Sequence, residues 1–145
     1  MLRLYKEIKM KKPITLLLAS LVFLSAETTL IKDDVHKLMW EDTKHVDETK
    51  INHIQARSYC KNLELGELNW RIPTLTELLS IVDYKSYKPA ILKEFNRVDN
   101  DTLYWSSTPY ARSSDEYWGV SFKDGATSNA SETYDRLVRC VADIK

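Results

Sequence analysis

Three histidines, two cysteines and several acidic pairs are the side chains of this 145-residue chain best suited to catalysis or metal binding. His36, His45 and His53 are separated by nine and eight residues, a spacing that puts them on no common face of a helix or strand. No HExxH pair accompanies them, and Ser106-Ser107 lacks the flanking glycines of a hydrolase nucleophile elbow. We therefore interpret the three histidines as surface residues rather than as metal ligands or bases.

The acidic side chains offer two other kinds of chemistry. Glu77, or the pair Asp99 and Asp101, could serve as the general acid and base of an enzyme. Glu77 is also explained by a helix cap. Oxygen ligands for calcium are available in Asp99-Asn100-Asp101 and Asp115-Glu116. Neither segment has the EF-hand spacing, and the Glu-Pro-Asn, Gln-Pro-Asp and Trp-Asn-Asp tripeptides of calcium-dependent lectins are absent from the sequence. We predict no metal site, no cofactor and no enzymatic activity.

Aromatic side chains in irregular segments are the best candidates for a binding surface. Tyr84, Tyr87 and Tyr110 fall between predicted helices and strands, where loops carry most binding residues, and Arg112 lies close to Tyr110 in sequence. Aromatic faces stack on the apolar faces of sugars. These four residues are therefore the predicted ligand-binding set.

Residues 1–26 have the pattern of a secretory signal peptide. Lys9, Lys11 and Lys12 precede an apolar run over residues 14–24, and Ala26 is a small residue suited to signal peptidase. The run is about half of the roughly 20 residues that span a bilayer, so we predict no stable membrane span after cleavage. An uncleaved signal anchor is the alternative. The predicted product is periplasmic or secreted and forms a single domain over residues 27–145.

Composition and charge exclude several classes of function. Gly66, Gly119 and Gly125 are the only glycines and lie far apart, which excludes the glycine-rich phosphate loop and the dinucleotide-binding fingerprint. Once the five basic residues and one acidic residue of segment 1–26 are set aside, the remainder holds 16 basic and 20 acidic side chains. That negative balance disfavours nucleic acid and anionic membranes as partners.

Export also bears on the two cysteines. Cys60 and Cys140 are the only pair in the chain, and an exported pair reaches an oxidising compartment. We predict one disulfide between them. A reactive thiol pair and a pair of metal ligands are the alternatives, which neither a CxxC spacing nor a nearby histidine supports.

Hydrophobic periodicity predicts the elements that position these residues. Strands over residues 28–32 and 37–40 precede a helix over residues 50–63 and a strand over residues 70–72. Thr74 and Glu77 form the capping box of a second helix. A looser region follows, with one helical turn at residues 90–95. Three further strands are expected over residues 104–106, 117–122 and 137–141, the first ending before Pro109 and the second followed by a turn at Asp124-Gly125. Helices followed by a meander of strands indicate the α+β class.

Five motifs occur in a fixed order along the chain. They are Leu38-Met39-Trp40, Trp70-Arg71-Ile72-Pro73-Thr74 with Glu77-Leu78, Tyr104-Trp105-Ser106-Ser107-Thr108, Trp118-Gly119-Val120-Ser121-Phe122 and Val138-Arg139-Cys140-Val141. Together they resemble the Lcl C-terminal-like domain family, a bacterial domain of unknown function related to C-type-lectin-like and sulfatase-modifying folds. The resemblance covers nearly all of residues 30–141.

The resemblance implies a C-type-lectin-like fold, in which two helices flank a small twisted antiparallel sheet. It also implies a disulfide from the first helix, at Cys60, to the last strand, at Cys140. The implied framework residues are Trp40, Trp70, Arg71, Pro73, Thr74, Glu77, Trp105, Trp118 and Arg139. We expect Trp105 and Trp118 to fill the core, and Arg71 and Arg139 to pair with internal acids such as Glu77 rather than with a ligand.

Taken together, the patterns predict an exported, non-enzymatic binding or adhesion-type module. Its ligand would be a glycan or an envelope or extracellular protein, held by loops over residues 83–100 and 109–116. One alternative is a structural envelope subunit that packs on a protein partner. Another is an enzyme of the sulfatase-modifying class, which would need cysteines beyond those of the predicted disulfide.

Overall fold

The computed structural model describes residues 29–145, and the predicted signal peptide lies outside the described residues. The elements are β1 (Leu30–Asp33), β2 (Leu38–Glu41), α1 (His45–Glu48), α2 (His53–Lys61), β3 (Trp70–Arg71), α3 (Leu75–Ser80), β4 (Leu103–Pro109), β5 (Glu116–Ser121), β6 (Thr127–Ser131) and β7 (Val141–Asp143). None of these helices is long and apolar enough to cross a membrane. The mixture of helices and antiparallel strands confirms the predicted α+β class.

The strands form two antiparallel sheets, so the prediction of a single twisted sheet is wrong. One sheet has the order β1-β2-β7-β3 and the other has the order β4-β5-β6. The last segment of the chain explains the division. Leu137 bridges to Tyr104 of β4, and the chain reaches β2 only at Cys140, whose carbonyl accepts from the Glu41 N–H at 3.0 Å. Strand pairing with β2 and β3 begins at Val141. The predicted last strand over residues 137–141 is therefore displaced, because residues 138–140 cross from one sheet to the other.

Local side-chain caps determine where the helices begin. The Asn52 side chain accepts from the Gln55 N–H at 2.9 Å and the Gln55 side chain accepts from the Asn52 N–H at 3.1 Å, so α2 begins at His53 rather than at residue 50. The capping box predicted at Thr74 and Glu77 is confirmed, with the two reciprocal bonds at 3.2 and 2.7 Å. The short helix α1 has no counterpart in the predicted elements.

The segment between α3 and β4, which we call the extended arm, forms only the second half of the helical turn predicted at residues 90–95, where Phe95 donates its N–H to the Leu92 carbonyl at 3.1 Å. Ala90 donates its N–H to the Phe122 carbonyl at 2.7 Å, and Leu92 donates to the Ile81 carbonyl at 3.0 Å. These long-range bonds tie the beginning of the predicted turn to the rest of the fold. Farther on, β4 continues through Pro109, which pairs with Tyr117 after an irregularity in the register.

Two clusters of buried side chains form the core. Trp40 is at the centre of the cluster between the four-stranded sheet, α3 and the extended arm, and Trp105 is in the cluster around the disulfide. Both indoles are fully buried. Trp118 differs from the expectation because it is only partly buried and packs edge-to-face on Tyr110, with ring centroids 5.2 Å apart. It lies near the start of β5, where the core ends.

A buried ion pair joins the two ends of the described chain. Arg139 and Asp42 are both inaccessible to solvent, and the Arg139 Nη1 donates to Asp42 Oδ1 at 2.8 Å and to the Glu41 carbonyl at 2.7 Å. The Arg139 Nη2 donates to the Arg97 carbonyl, and the guanidinium lies 4.7 Å from the Phe95 ring centroid. Arg139 therefore meets an internal acid, as expected, but the acid is Asp42.

Removing the predicted disulfide will lower stability. Cys60 and Cys140 are bonded across a sequence separation of 80 residues, and the bond ties α2 to the residue that precedes β7. The chain-entropy model assigns a closure of this length about 4.5 kcal/mol, and measured losses are typically about 2 to 5 kcal/mol. We expect the variant with both cysteines replaced by alanine to unfold at correspondingly lower denaturant concentration. Reduced and oxidised wild type with equal midpoints would contradict this.

Neutralising the carboxylate of the buried ion pair will lower the free energy of unfolding more than neutralising the carboxylate of an exposed pair. We expect Asp42→Asn to lower the free energy of unfolding by about 3 to 5 kcal/mol, because it leaves the Arg139 charge buried without a counter-ion. The matched control is Asp143→Asn, whose exposed carboxylate pairs with Arg71 at 2.9 Å and is expected to contribute less than about 1 kcal/mol. Denaturant titration measures both, and similar losses would show that Asp42 is not required.

Candidate functional site

A cleft of about 350 Å³ lies between the β1–β2 turn and the extended arm. We call it the aromatic cleft. The buried rings of Trp40 and Phe95 form its floor. Its walls are the apolar Ile31, Ile81 and Leu92 and the polar Ser80, and its rim carries Lys32, Asp33, Asp34, Val35, His36 and Glu94. A concave apolar site with a few polar groups at its edge is the usual form of a ligand-binding pocket.

The floor of the aromatic cleft is held rigidly from behind. The Trp40 and Phe95 rings meet edge-to-face with centroids 6.2 Å apart. Behind Phe95, the buried Asp42 carboxylate accepts from the Asn96 N–H at 2.9 Å and from the Arg97 N–H at 3.1 Å. The arm is therefore anchored to the end of β2 immediately after Phe95, and the aromatic floor is in place before any ligand arrives.

The rim of the aromatic cleft is acidic and partly organised. The rim holds three carboxylates, those of Asp33, Asp34 and Glu94, and one ammonium group, that of Lys32. Lys32 pairs with Asp34 at 2.7 Å. Asp33 accepts from the N–H groups of Val35 and His36, each at 3.0 Å, and from the His36 ring at 2.7 Å. Although partial burial opposes it, these hydrogen bonds hold the pKa of the Asp33 carboxyl below its ordinary value, so it stays ionised at neutral pH.

The Trp40 indole has a polar group without a partner. Its Nε1–H is buried and makes no hydrogen bond within residues 29–145. The neighbouring core indoles differ, because Trp70 donates to the Leu65 carbonyl at 2.8 Å and Trp105 donates to the Ile51 carbonyl at 3.0 Å. Buried donors without a hydrogen-bond partner are uncommon in proteins. This one belongs to a residue that lines a cleft, where a ligand could supply the missing acceptor.

Two of the four sequence-predicted binding residues lie on the arm that borders the aromatic cleft. Tyr84 and Tyr87 are 69% and 64% exposed at the tip of the arm, whose base supplies Ile81 and Leu92 to the cleft wall. Tyr84 rests on the turn after β5, where a side chain at Gly125 would come within 2.8 Å of its ring. The cleft residues Leu92, Glu94 and Phe95 also fall inside the predicted loop over residues 83–100.

The other two predicted binding residues lie at the opposite end of β5. Tyr110 and Arg112 belong to the turn that precedes β5, whereas Tyr84 packs against the turn that follows it. A six-residue strand separates the two turns by about 17 Å. Tyr110 is partly buried against Trp118, while Arg112 is exposed. The structure therefore does not bring the four residues together.

The acidic candidates are also apart. Asp99 and Asp101 precede β4 at the Ser121 end of β5, and Asp115 and Glu116 are at its other end. Asp99 accepts from the Asp101 N–H at 2.7 Å, and Asp115 accepts from the Ser113 hydroxyl at 2.6 Å. In the part of the chain that the structure describes, no three His, Cys, Asp or Glu side chains converge as a metal-ligand set.

Arg71 and Glu77 are bound to each other. The guanidinium donates two bonds to the Glu77 carboxylate, at 2.8 and 2.7 Å, and two further ones to the Asp143 carboxylate, at 3.3 and 2.9 Å. Partial burial opposes ionisation of Glu77, yet Arg71 and the Thr74 N–H hold the pKa of its carboxyl below the ordinary value. Arg71 also borders a second cleft of about 440 Å³ with Arg57, whose own guanidinium donates to the Tyr117 hydroxyl at 3.3 Å.

The prediction that all three histidines lie on the surface is wrong for His53. His36 is exposed and His45 is partly buried, but His53 is fully buried at the start of α2. Its ring stacks on Tyr117 with centroids 3.6 Å apart, and its Nε2 donates to the Ser106 carbonyl at 2.9 Å. The Asn52 capping box indicates a helix that begins at His53, but burial of the ring depends on the distant Tyr117, which no local pattern indicates.

A family model described as the Lcl C-terminal domain covers residues 29–142. No curated protein matches the sequence.

Burial of His53 predicts a pH-dependent loss of stability. Burial lowers the pKa of this imidazole, and its Nδ1 has no partner within residues 29–145, so protonation would leave a buried charge unpaired. The unfolded chain binds that proton at its ordinary pKa of about 6.5, so the stabilisation is present above that pH and is lost as the pH falls below it.

We expect the free energy of unfolding to decline as the pH falls from about 7 to about 5. The decline is up to about 1.4 kcal/mol per pH unit for each proton that the unfolded chain binds and the folded protein does not. Denaturant titration across this range measures the slope. The slope should be smaller in His53→Gln and unchanged in the exposed control His36→Gln. An equal slope in His53→Gln and wild type would contradict the assignment to His53.

Proposed function

The chain belongs to the Lcl C-terminal domain family, and from this premise we propose that it is an exported, non-enzymatic binding module. Its ligand is a glycan or a protein of the envelope or the extracellular space. The observation that carries the proposal is the aromatic cleft, in which a buried aromatic floor is surrounded by a polar rim. The exposed tyrosines Tyr84 and Tyr87 stand on the adjoining arm and extend the surface available to a large ligand.

Two further parts of the proposal concern fold and location. A C-type-lectin-like fold is supported by β1 and β7, the first and last strands of the described chain, which flank β2 in one sheet. The disulfide from α2 to the residue before β7 supports it as well. Periplasmic or secreted location is supported by the same disulfide, because such bonds persist in oxidising compartments, and by the signal-like pattern of residues 1–26.

Two alternatives differ from the binding module in class. A structural envelope subunit would use exposed apolar side chains to pack on a protein partner, and Val35, Ile54 and Tyr134 are the candidates outside the arm. An enzyme of the sulfatase-modifying class would need a reactive cysteine. Both cysteines of the sequence are joined in the disulfide, which argues against that class.

A charge placed in the cleft wall tests the proposed function. Leu92 is 38% exposed at the mouth of the aromatic cleft, so Leu92→Arg should obstruct the cleft with little effect on the core. We expect this variant to bind glycan arrays and isolated envelope fractions about ten-fold more weakly than wild type, the loss of about 1.4 kcal/mol.

The matched control is Ile54→Arg, which puts the same charge on an exposed apolar position of α2 outside the cleft. It should bind like wild type, and thermal unfolding confirms that both variants are folded. Equal binding by wild type and Leu92→Arg would place the ligand elsewhere, and loss in Ile54→Arg alone would point to α2. Absence of binding by wild type to every glycan and envelope fraction would refute the binding module.

A further inference from the structure

We propose that the aromatic cleft receives the acetamido group of a neutral N-acetylated amino sugar, an inference that rests on the cleft being the ligand site proposed above. The carbonyl oxygen would accept from the Trp40 indole, the methyl group would pack on the apolar walls, and the ring hydroxyls would donate to the acidic rim.

The orphaned donor on the floor supplies the first step. Trp40 lines the aromatic cleft, and its Nε1–H finds no acceptor in the described part of the chain, while Trp70 and Trp105 both donate to backbone carbonyls. A ligand oxygen that reaches this group forms a hydrogen bond that the free protein lacks. Such a gain comes without the loss of an internal bond.

The walls restrict which oxygen fits. Ile31, Ile81 and Leu92 are apolar and Phe95 presents a ring, while Ser80 is the one polar wall residue and its hydroxyl already donates to the Glu77 carbonyl at 2.6 Å. The inner cleft therefore offers one donor, at Trp40, and one acceptor, at the Ser80 oxygen, within apolar surface. An ammonium group would find no charge partner there, and a hydroxyl group would leave the apolar walls uncovered. An acetamido group brings a carbonyl that accepts, an N–H that donates and a methyl group that covers apolar surface.

The rim selects the rest of the ligand. Asp33, Asp34 and Glu94 are hydrogen-bond acceptors, and Glu94 makes no side-chain hydrogen bond or ion pair to any residue of segment 29–145. Sugar hydroxyls are suitable donors to such carboxylates, whereas a backbone peptide offers fewer donors. The excess of negative charge disfavours sulfated sugars and uronic acids. These points favour a neutral amino sugar over an acidic glycan or a peptide.

Entry to the floor involves Leu92. The Trp40 indole is closed to water in the free cleft, and Leu92, at 38% exposed, is the most exposed of the wall residues. In this proposal the Leu92 side chain rotates away from the floor when the ligand binds. Leu92→Ala should bind the sugar at least as tightly as wild type, in contrast to the obstructing Leu92→Arg.

The indole N–H signals test the inference directly. In a proton–nitrogen correlation spectrum of the exported full-length product, Trp40→Phe identifies the Trp40 signal by its loss. Titration with N-acetylglucosamine should move this signal saturably to lower field as the hydrogen bond forms, while the Trp70 and Trp105 signals stay in place. Leu92→Ala, which keeps all four tryptophans, should give the same movement if Trp40→Phe fails to fold.

Variants and related compounds supply the controls. Glu94→Gln should bind N-acetylglucosamine about ten-fold more weakly, which corresponds to a loss of about 1.4 kcal/mol of binding free energy. The exposed control Glu67→Gln should bind it like wild type. Glucose and glucosamine, which lack the acetyl group, should leave the Trp40 signal in place at the same concentrations.

Three results would overturn the inference. They are equal movement with glucose, equal movement with N-acetylalanine methylamide, which would indicate a peptide ligand, and no movement with N-acetylglucosamine. If the signal does not move but Leu92→Arg still loses binding to glycans or envelope fractions, the acetamido inference fails and the proposed function stands. If wild type binds nothing in either experiment, both fail.

Discussion

The buried guanidinium of Arg139 is the group on which the rest of this structure depends. A charge that is removed from water must be neutralised and hydrogen-bonded, or the fold loses several kcal/mol. Arg139 meets most of this requirement through two other parts of the chain, since it donates to Asp42 and the adjacent Glu41 carbonyl and to the Arg97 carbonyl. Its Nε–H has no partner within residues 29–145. The neighbouring disulfide fixes the same segment to α2, so covalent and ionic restraints act on adjacent residues.

The aromatic cleft follows from that arrangement. The second oxygen of Asp42 holds the N–H of Asn96, and the first also accepts from the Arg97 N–H, which anchors the arm immediately after Phe95. Phe95 then lies between the guanidinium and the Trp40 ring. A surface loop thereby acquires the rigidity of the core, and an irregular segment can contribute a preformed wall to a binding site.

The features that local rules govern were predictable from the sequence, and those that depend on distant partners were not. The Thr74 capping box needs residues three apart, and the disulfide was predicted from the count of two cysteines and the expectation of export. The division into two sheets depends on β7 pairing with β2 and β3, which are distant from it in sequence, and no local pattern indicates that pairing. Burial of His53 likewise depends on Tyr117. The predicted binding loop over residues 83–100 includes part of the cleft lining. The β1–β2 turn completes the cleft, but nothing in its sequence indicated a binding role.

The central claim is that Asp42 and Arg139 give the arm the stability of the core, and native-state hydrogen exchange measures this at the amides of Asn96 and Arg97. Both donate to the buried Asp42 carboxylate although they lie outside any helix or strand. The account predicts that they exchange only through global unfolding, as slowly as the most protected amides of β2 and β7. Exchange through local opening, at the rate of the exposed tip around Tyr84, would contradict it.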